Sequence, residues 1–362
     1  MSNNTSYCPG PGLPSKAAAV TKAAAYLFIF LVSALGNLLV ILVVGKNRHL
    51  RSAPINQFIV SMALADLLTS LFNMTVEIWI HTKEATGQQV VWFDGAGGVV
   101  FCKVIVFVQG VSMACSVLTL TAIAVNRFFA VFYPLRMGFS KSLSAILIGF
   151  IWLVSCVTAS PMLYAMKVID VDGNLQCIEQ WAPAFDGESS QKNYTLLLLT
   201  LLYALPLAAI TVLYTAVVRK VWRRQVPGNI TTPNQLVELV TKKRVLRMLI
   251  TVVIVFGFCW LPYYTYLFLS FIVYYPPHCS SLANVMFIGL FLGHANSAIN
   301  PCIYAIFNKE YRSSLTTVQR PCLPMLHENV VPRNFNQSSM RKTQLGTEEM
   351  TMRELGRRIS LI

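Results

Sequence analysis

Seven apolar stretches of helical length alternate with short polar segments, at about residues 23 to 45, 55 to 80, 99 to 133, 142 to 165, 194 to 222, 242 to 274 and 281 to 306. Crossing a hydrocarbon layer roughly 30 Å thick takes about 20 apolar residues in a helix, since lipid offers backbone N–H and C=O groups no partners. The pattern therefore predicts an all-α membrane protein, a seven-transmembrane helix bundle over residues 23 to 306. A polar segment, 1 to 22, precedes it. Behind it Phe307, Tyr311, Leu315 and Val318 fall at helical spacing with Lys309 and Arg312 on other faces. That spacing predicts a short amphipathic eighth helix on the membrane surface, 307 to 320. From 321 to 362 the chain is polar and aperiodic, as in a flexible tail. No repeat emerges, so one bundle is the simplest organisation.

Composition agrees: 55% of residues are apolar and 12% charged, where soluble domains carry charge on roughly a quarter. The net charge of +14 would suit a nucleic-acid binder, but its distribution does not. With the spans placed, 6 Lys/Arg and 8 Asp/Glu fall on one side, 23 and 6 on the other, and Asp66 in mid-membrane. Basic residues concentrate in cytoplasmic loops, which places the N-terminus outside and makes the basic excess a matter of orientation. A multi-pass plasma-membrane protein with no nucleic-acid partner is expected. Asn3 and Asn4 begin glycosylation sequons on the outer side.

Four of nine cysteines, Cys8, Cys102, Cys177 and Cys279, lie on the oxidising side. A Cys102–Cys177 bridge would pin the long loop after the fourth helix over the bundle mouth. Cys8 and Cys279 could form a second bridge, although four cysteines allow three pairings. Cys322, just past the eighth helix, is a candidate for lipidation or an unmodified thiol.

Each predicted span also carries an unusual residue. These are Gly36-Asn37, Leu64-Ala65-Asp66, Asn126-Arg127-Phe128, Trp152, Pro206 with Tyr214, Cys259-Trp260-Leu261-Pro262, and the run from Asn296 through Asn300-Pro301 to Tyr304. Seven such signals, each in its own span, resemble the rhodopsin-like (class A) G-protein-coupled receptors over residues 23 to 320. The resemblance implies a receptor that activates a heterotrimeric G protein, with Trp260, Pro262, Tyr214 and Tyr304 as activation switches and Arg127 at the G-protein crevice. An ionisable Asp66 in hydrocarbon needs partners. Ser116, Asn296, Ser297 and Asn300 supply oxygens, and the family's counterpart holds an allosteric Na⁺; an ion-free polar network is the alternative. No cofactor is required. Ser338, Ser339, Thr343, Thr347 and Thr351 could be phosphorylated and recruit arrestin, or form an inert linker.

The chain departs from the family at Asn126, where an acid usually pairs with the following arginine, at Phe128 in place of Tyr, and at Lys242, where some members place a carboxylate. Ligand-independent signalling is the expected consequence. The seventh span lacks the lysine that retinal would need. Gln109 stands where amine receptors place Asp, and the match is to receptors of the neuropeptide Y, orexin and neuropeptide FF kind. An amide can exchange two hydrogen bonds with another amide. Above it, Glu77 and Glu179, with Asp170, Asp172, Asp186 and Glu188, make an acidic mouth or a solvated loop surface, while Tyr263, Tyr264, Leu267, Leu290 and His294 form an aromatic wall. The expected ligand is a basic, C-terminally amidated neuropeptide. A receptor for a small molecule or lipid is the alternative, and a transporter or channel a remote one, since Asp66 alone is ionisable at depth. Five dispersed histidines and no nucleophile motif argue against an enzyme.

Overall fold

The protein is described by a computed structural model covering residues 15–133, 138–171, 173–223, 233–271, 280–307 and 311–314. Helix α1 (Lys16–Lys46) starts ahead of the apolar run. The Ser15 hydroxyl accepts the Ala18 N–H, and an alanine-rich first turn favours helix. After a short helix at Arg48–Ser52, capped by the Asn47 side chain, Pro54 occupies the first turn of α2 (Pro54–Ala85), where its missing N–H costs nothing. Within α2, residues Thr69–Met74 widen into a π-turn. Asp94 caps α3 (Gly95–Phe132), and Ser140 caps α4 (Lys141–Ala159), which is followed by a short helix, Pro161–Ala165.

Between α4 and α5 the chain forms an antiparallel hairpin, β1 (Met166–Val171) and β2 (Asn174–Glu179), an addition to the all-helical expectation. Val171 pairs with Asn174, and Gly173 in the turn has φ of +80°, a conformation glycine tolerates without strain. Helix α5 runs from Gly187–Leu199 through a second π-turn, Thr200–Ala204, into Leu205–Arg223. Pro206 follows that π-turn directly, so the wider ring accommodates the lost hydrogen bond. Pro262 and Pro301 lie inside α6 (Pro233–Phe271) and α7 (Ser280–Phe307). Of the predicted eighth helix, Tyr311 to Ser314 is described and helical, with Tyr311 buried and Arg312 exposed.

Six of these helices are each long and apolar enough to cross a membrane, and α7 packs among them as the seventh. Polarity runs opposite to that of a water-soluble bundle. Asp66, Asn37 and Asn300 are at most 2% exposed, while Ile146, Phe150, Leu153 and Val157 form a stripe along α4 that is 60–68% exposed. Such a stripe is stable only against lipid. Where helices cross, glycine sets the distance: a Cβ on Gly36 would meet Pro301 at 2.8 Å, and one on Gly289 would meet the Tyr263 backbone at 2.6 Å. The helices thus enclose a polar axis, with Lys46, Arg48 and Arg51 exposed at the α1–α2 connection and Arg312 exposed beyond α7.

Candidate ligand cavity and switch residues

The polar axis is organised around Asp66. Ser297 Oγ donates to Asp66 Oδ1 at 2.7 Å and Asn300 Nδ2 to Oδ2 at 2.9 Å, joining α7 to α2. Asn37 of α1 donates to the Ser297 carbonyl, Ser70 to Ser33 Oγ, and Ser112 of α3 to the Ala65 carbonyl. Side chains of α7 thus bond the carboxylate of α2 directly, and α1 and α3 bond the groups beside it. Ser116 and Asn296 line the same small cavity with Thr69, Gln109, Ser112, Met113 and Trp260. Asn296 Oδ1 and Asn300 Oδ1 are buried acceptors with no partner among the described residues. The five residues expected from the sequence are thus together, and Thr69, Ser112 and Met113 join them.

Trp260 lies on the cavity wall because α7 has no side chain at Gly293, where a Cβ would touch the indole at 3.0 Å. Toward the hairpin end, His294 Nε2 donates to Gln109 Oε1 at 3.2 Å, linking α7 to α3. The amide NH₂ of Gln109 has no hydrogen-bond partner among the described residues. Tyr263 packs edge-on against Trp260, and Tyr264 stacks on Tyr203 of α5 while its hydroxyl donates to Met113 Sδ. Leu267 packs on the main core, and Leu290 is half-buried about one turn before His294.

The hairpin is held over this end at three points. The Cys102–Cys177 disulfide ties β2 to the start of α3, Trp92 N–H donates to the Leu175 carbonyl, and Gln180 N–H to the Ala165 carbonyl. Glu179 at the end of β2 is already engaged, its Oε1 accepting from Trp181 Nε1 at 2.6 Å and its Oε2 from Gln191 Nε2 at 3.3 Å. Burial raises its carboxyl above the usual range, against these two hydrogen bonds, which lower it. Glu77, expected at the top of the second helix, is largely buried beside His81, which the sequence reading left unused. Asp170 is spent on the hairpin turn, accepting the Gly173 N–H, and Asp186 caps α5. Asp172, Cys8, Cys279, Asn3, Asn4 and Cys322 lie outside the described residues, as do the side chains of Glu188 and Lys242.

At the basic end, Arg127 has no hydrogen bond or ion pair among the described residues, and its Nε is buried without a partner. Tyr214 of α5 is within electrostatic reach of it. Asn126 does other work: its Oδ1 accepts the Phe139 N–H at 2.9 Å, fixing the start of the segment leading to α4. Phe128 stacks on Phe132 at 4.3 Å, and Lys220 of α5 lies 4.1 Å over the Phe132 ring. Tyr304 is buried with an unpartnered hydroxyl.

A membrane-spanning seven-helix bundle with a polar axis beneath a disulfide-tethered hairpin defines a receptor class. The model of that class, the rhodopsin family of seven-transmembrane receptors, matches residues 36–304, and the chain belongs to it. Among curated relatives it is 32% identical to a QRFP-like peptide receptor of Branchiostoma floridae, over 82% of this chain and 76% of that protein. It is 31% identical to the human substance-K receptor, over 83% and 73%, and 28% identical to the neuromedin-K receptor of Cavia porcellus, over 93% and 73%.

Proposed function

We propose that the protein is a plasma-membrane receptor, N-terminus outside, that binds a basic, C-terminally amidated peptide in the hairpin-covered cavity and activates a heterotrimeric G protein. The observation that carries this is the cavity itself, in which Gln109 shares one lined space with Trp260 and Asp66. With its carbonyl oxygen taken by His294, Gln109 offers the ligand N–H donors, which suits the carbonyl of a terminal amide. The partly buried carboxylate of Glu77 suits an arginine or lysine of the same peptide. The relative from Branchiostoma floridae is named a peptide receptor, which favours a peptide over a lipid.

Excess basic residues at the opposite end support the orientation. There Arg127, unpaired among the described residues, is available to a G-protein segment once α6 moves. Arrestin binding to a phosphorylated tail belongs to the same reading. The oxygen set around Asp66 fits a Na⁺ ion: one carboxylate, the hydroxyls of Ser116 and Ser297, and two unpartnered amide oxygens. Hard cations take such oxygen ligands, and when bound the ion would neutralise Asp66. Among the described residues no group of three His, Cys, Asp or Glu side chains is arranged so that it could hold a metal ion.

The test is nucleotide exchange on purified Gα subunits beside the reconstituted receptor, screened with amidated and free-acid forms of basic peptides. Exchange by an amidated peptide and its loss in the free acid is expected; exchange by no peptide would refute the reading.

A further inference from the structure

Three side chains on the outer turns of α2 are arranged in a way that ligand recognition alone does not require. His81 is 6% exposed and lies between two carboxylates of its own helix, with Nδ1 2.8 Å from Glu84 Oε2 and Nε2 3.7 Å from Glu77 Oε2. A carboxylate accepts and does not donate, so the short contact places the proton of the neutral imidazole on Nδ1. Nε2 then presents a lone pair to Glu77, and it is buried with no hydrogen-bond partner among the described residues. The ring cannot swing away, because it stacks on Tyr26 of α1 at 5.8 Å and meets the edge of Phe287 of α7 at 5.4 Å.

We propose that His81 is a proton-operated gate on the Glu77 carboxylate, weakening the binding of a basic ligand as the extracellular medium becomes acidic. The inference rests on the reading that Glu77 receives the ligand's cation, and adds the regulation of that contact. With His81 neutral, Glu77 faces a lone pair and is free to take a guanidinium. A proton on Nε2 converts the same contact into a charge-assisted hydrogen bond, and the ligand must then displace an internal cation. Histidine changes charge in the range where extracellular acidity varies. From α1, Tyr26 stacks on the His81 ring, its hydroxyl without a partner among the described residues, and Lys22 lies over Phe287 within electrostatic reach of Glu77. From α7 come the uncharged Phe287 and, beyond Tyr26, His294, which is bonded to Gln109. Lys83 on α2 is turned to Gln88.

The experiment is saturation binding to full-length receptor in vesicles, with a tritiated, N-acetylated peptide amide that carries arginine beside a C-terminal Phe-amide and no other ionisable group. Between about pH 7.4 and about pH 6.0, wild type should lose roughly three- to ten-fold in affinity, and His81→Gln markedly less. His81→Phe keeps the aromatic stack and serves if the glutamine variant does not reach the membrane. A pH-indifferent wild type, or an equal loss in both His81 variants, overturns the gate. Glu77→Gln, read at about pH 7.4, separates the two layers: if it binds like wild type, or if the probe does not bind wild type at all, the reading beneath the gate has failed.

Discussion

At the level of single residues, Asn126 and Glu179 each do more than their place in a motif suggests. Asn126 stands where an acid would pair with Arg127, and its Oδ1 instead accepts the Phe139 N–H. Asp at this position can keep that acceptor and add a charge for the guanidinium; Ala removes both. Asn126→Asp should therefore lower basal nucleotide exchange at unchanged thermal stability. Asn126→Ala should cost about 1–2 kcal/mol, through the unsatisfied Phe139 N–H, without lowering basal exchange. Basal exchange in wild type equal to that of empty vesicles would remove the premise. Glu179 serves Trp181 and Gln191 first, and its buried carboxyl is held above the ordinary value. A raised carboxyl stabilises the fold fully only while protonated, so its share of stability is lost as pH rises through the folded-state value. Glu179→Gln should accordingly flatten the fall in melting temperature as pH rises from the ordinary carboxylate range through the folded-state value. A drop in peptide affinity in the same variant would show that the ligand's cation uses this carboxylate as well.

The helical elements were legible because each is a long apolar run, and seven motifs anchored them. Two features were less visible. The hairpin was marked by Asp172-Gly173 between Val168-Ile169-Asp170-Val171 and Asn174-Leu175-Gln176-Cys177, a two-residue turn signal that composition-level reading passes over inside a helical protein. The π-turn at Thr69–Met74 contains no proline and leaves no comparable mark. Inserting one residue into a turn rotates everything after it by about 100°, so straight helical spacing misreads the faces beyond it; there His81 meets Tyr26 of α1 and Phe287 of α7. Polar bonds from Ser70 and Asn73 hold the widened turn, the latter to the Ile105 carbonyl of α3. Asn73→Ala should destabilise the receptor by about 1 kcal/mol through the lost α2–α3 hydrogen bond, read as a lower melting temperature. The crossing of α1 and α7 is set more tightly: Gly36→Leu must push the Pro301 ring aside and should lower folded yield sharply, whereas Gly45→Leu, which meets nothing within 4 Å, should not.

On the scale of the whole molecule, one polar axis connects a ligand cavity to a G-protein end, and the Asp66 cluster lies where the helices must agree on a position. Asn37 of α1, Ser112 of α3, and Ser297 and Asn300 of α7 bond Asp66 or its immediate neighbourhood, and Trp260 of α6 lines the same cavity. A ligand that favours one arrangement of these helices and a cation that favours another oppose each other by the same factor in both directions, because coupling between sites is reciprocal. Two readouts follow, only one of which needs a ligand. Replacing choline by Na⁺ should raise the melting temperature of the ligand-free receptor, as binding to the folded state alone stabilises it by an amount that grows with the logarithm of the ion concentration relative to its Kd. The same exchange should lower agonist affinity. Asp66→Asn retains an acceptor for Ser297 but gives up the charge, so it should abolish both effects together. If melting temperature and affinity are indifferent to Na⁺ in wild type, Asp66 is a structural hub that joins α2 to α7 by hydrogen bonds alone. A response that persists in Asp66→Asn would place the cation elsewhere.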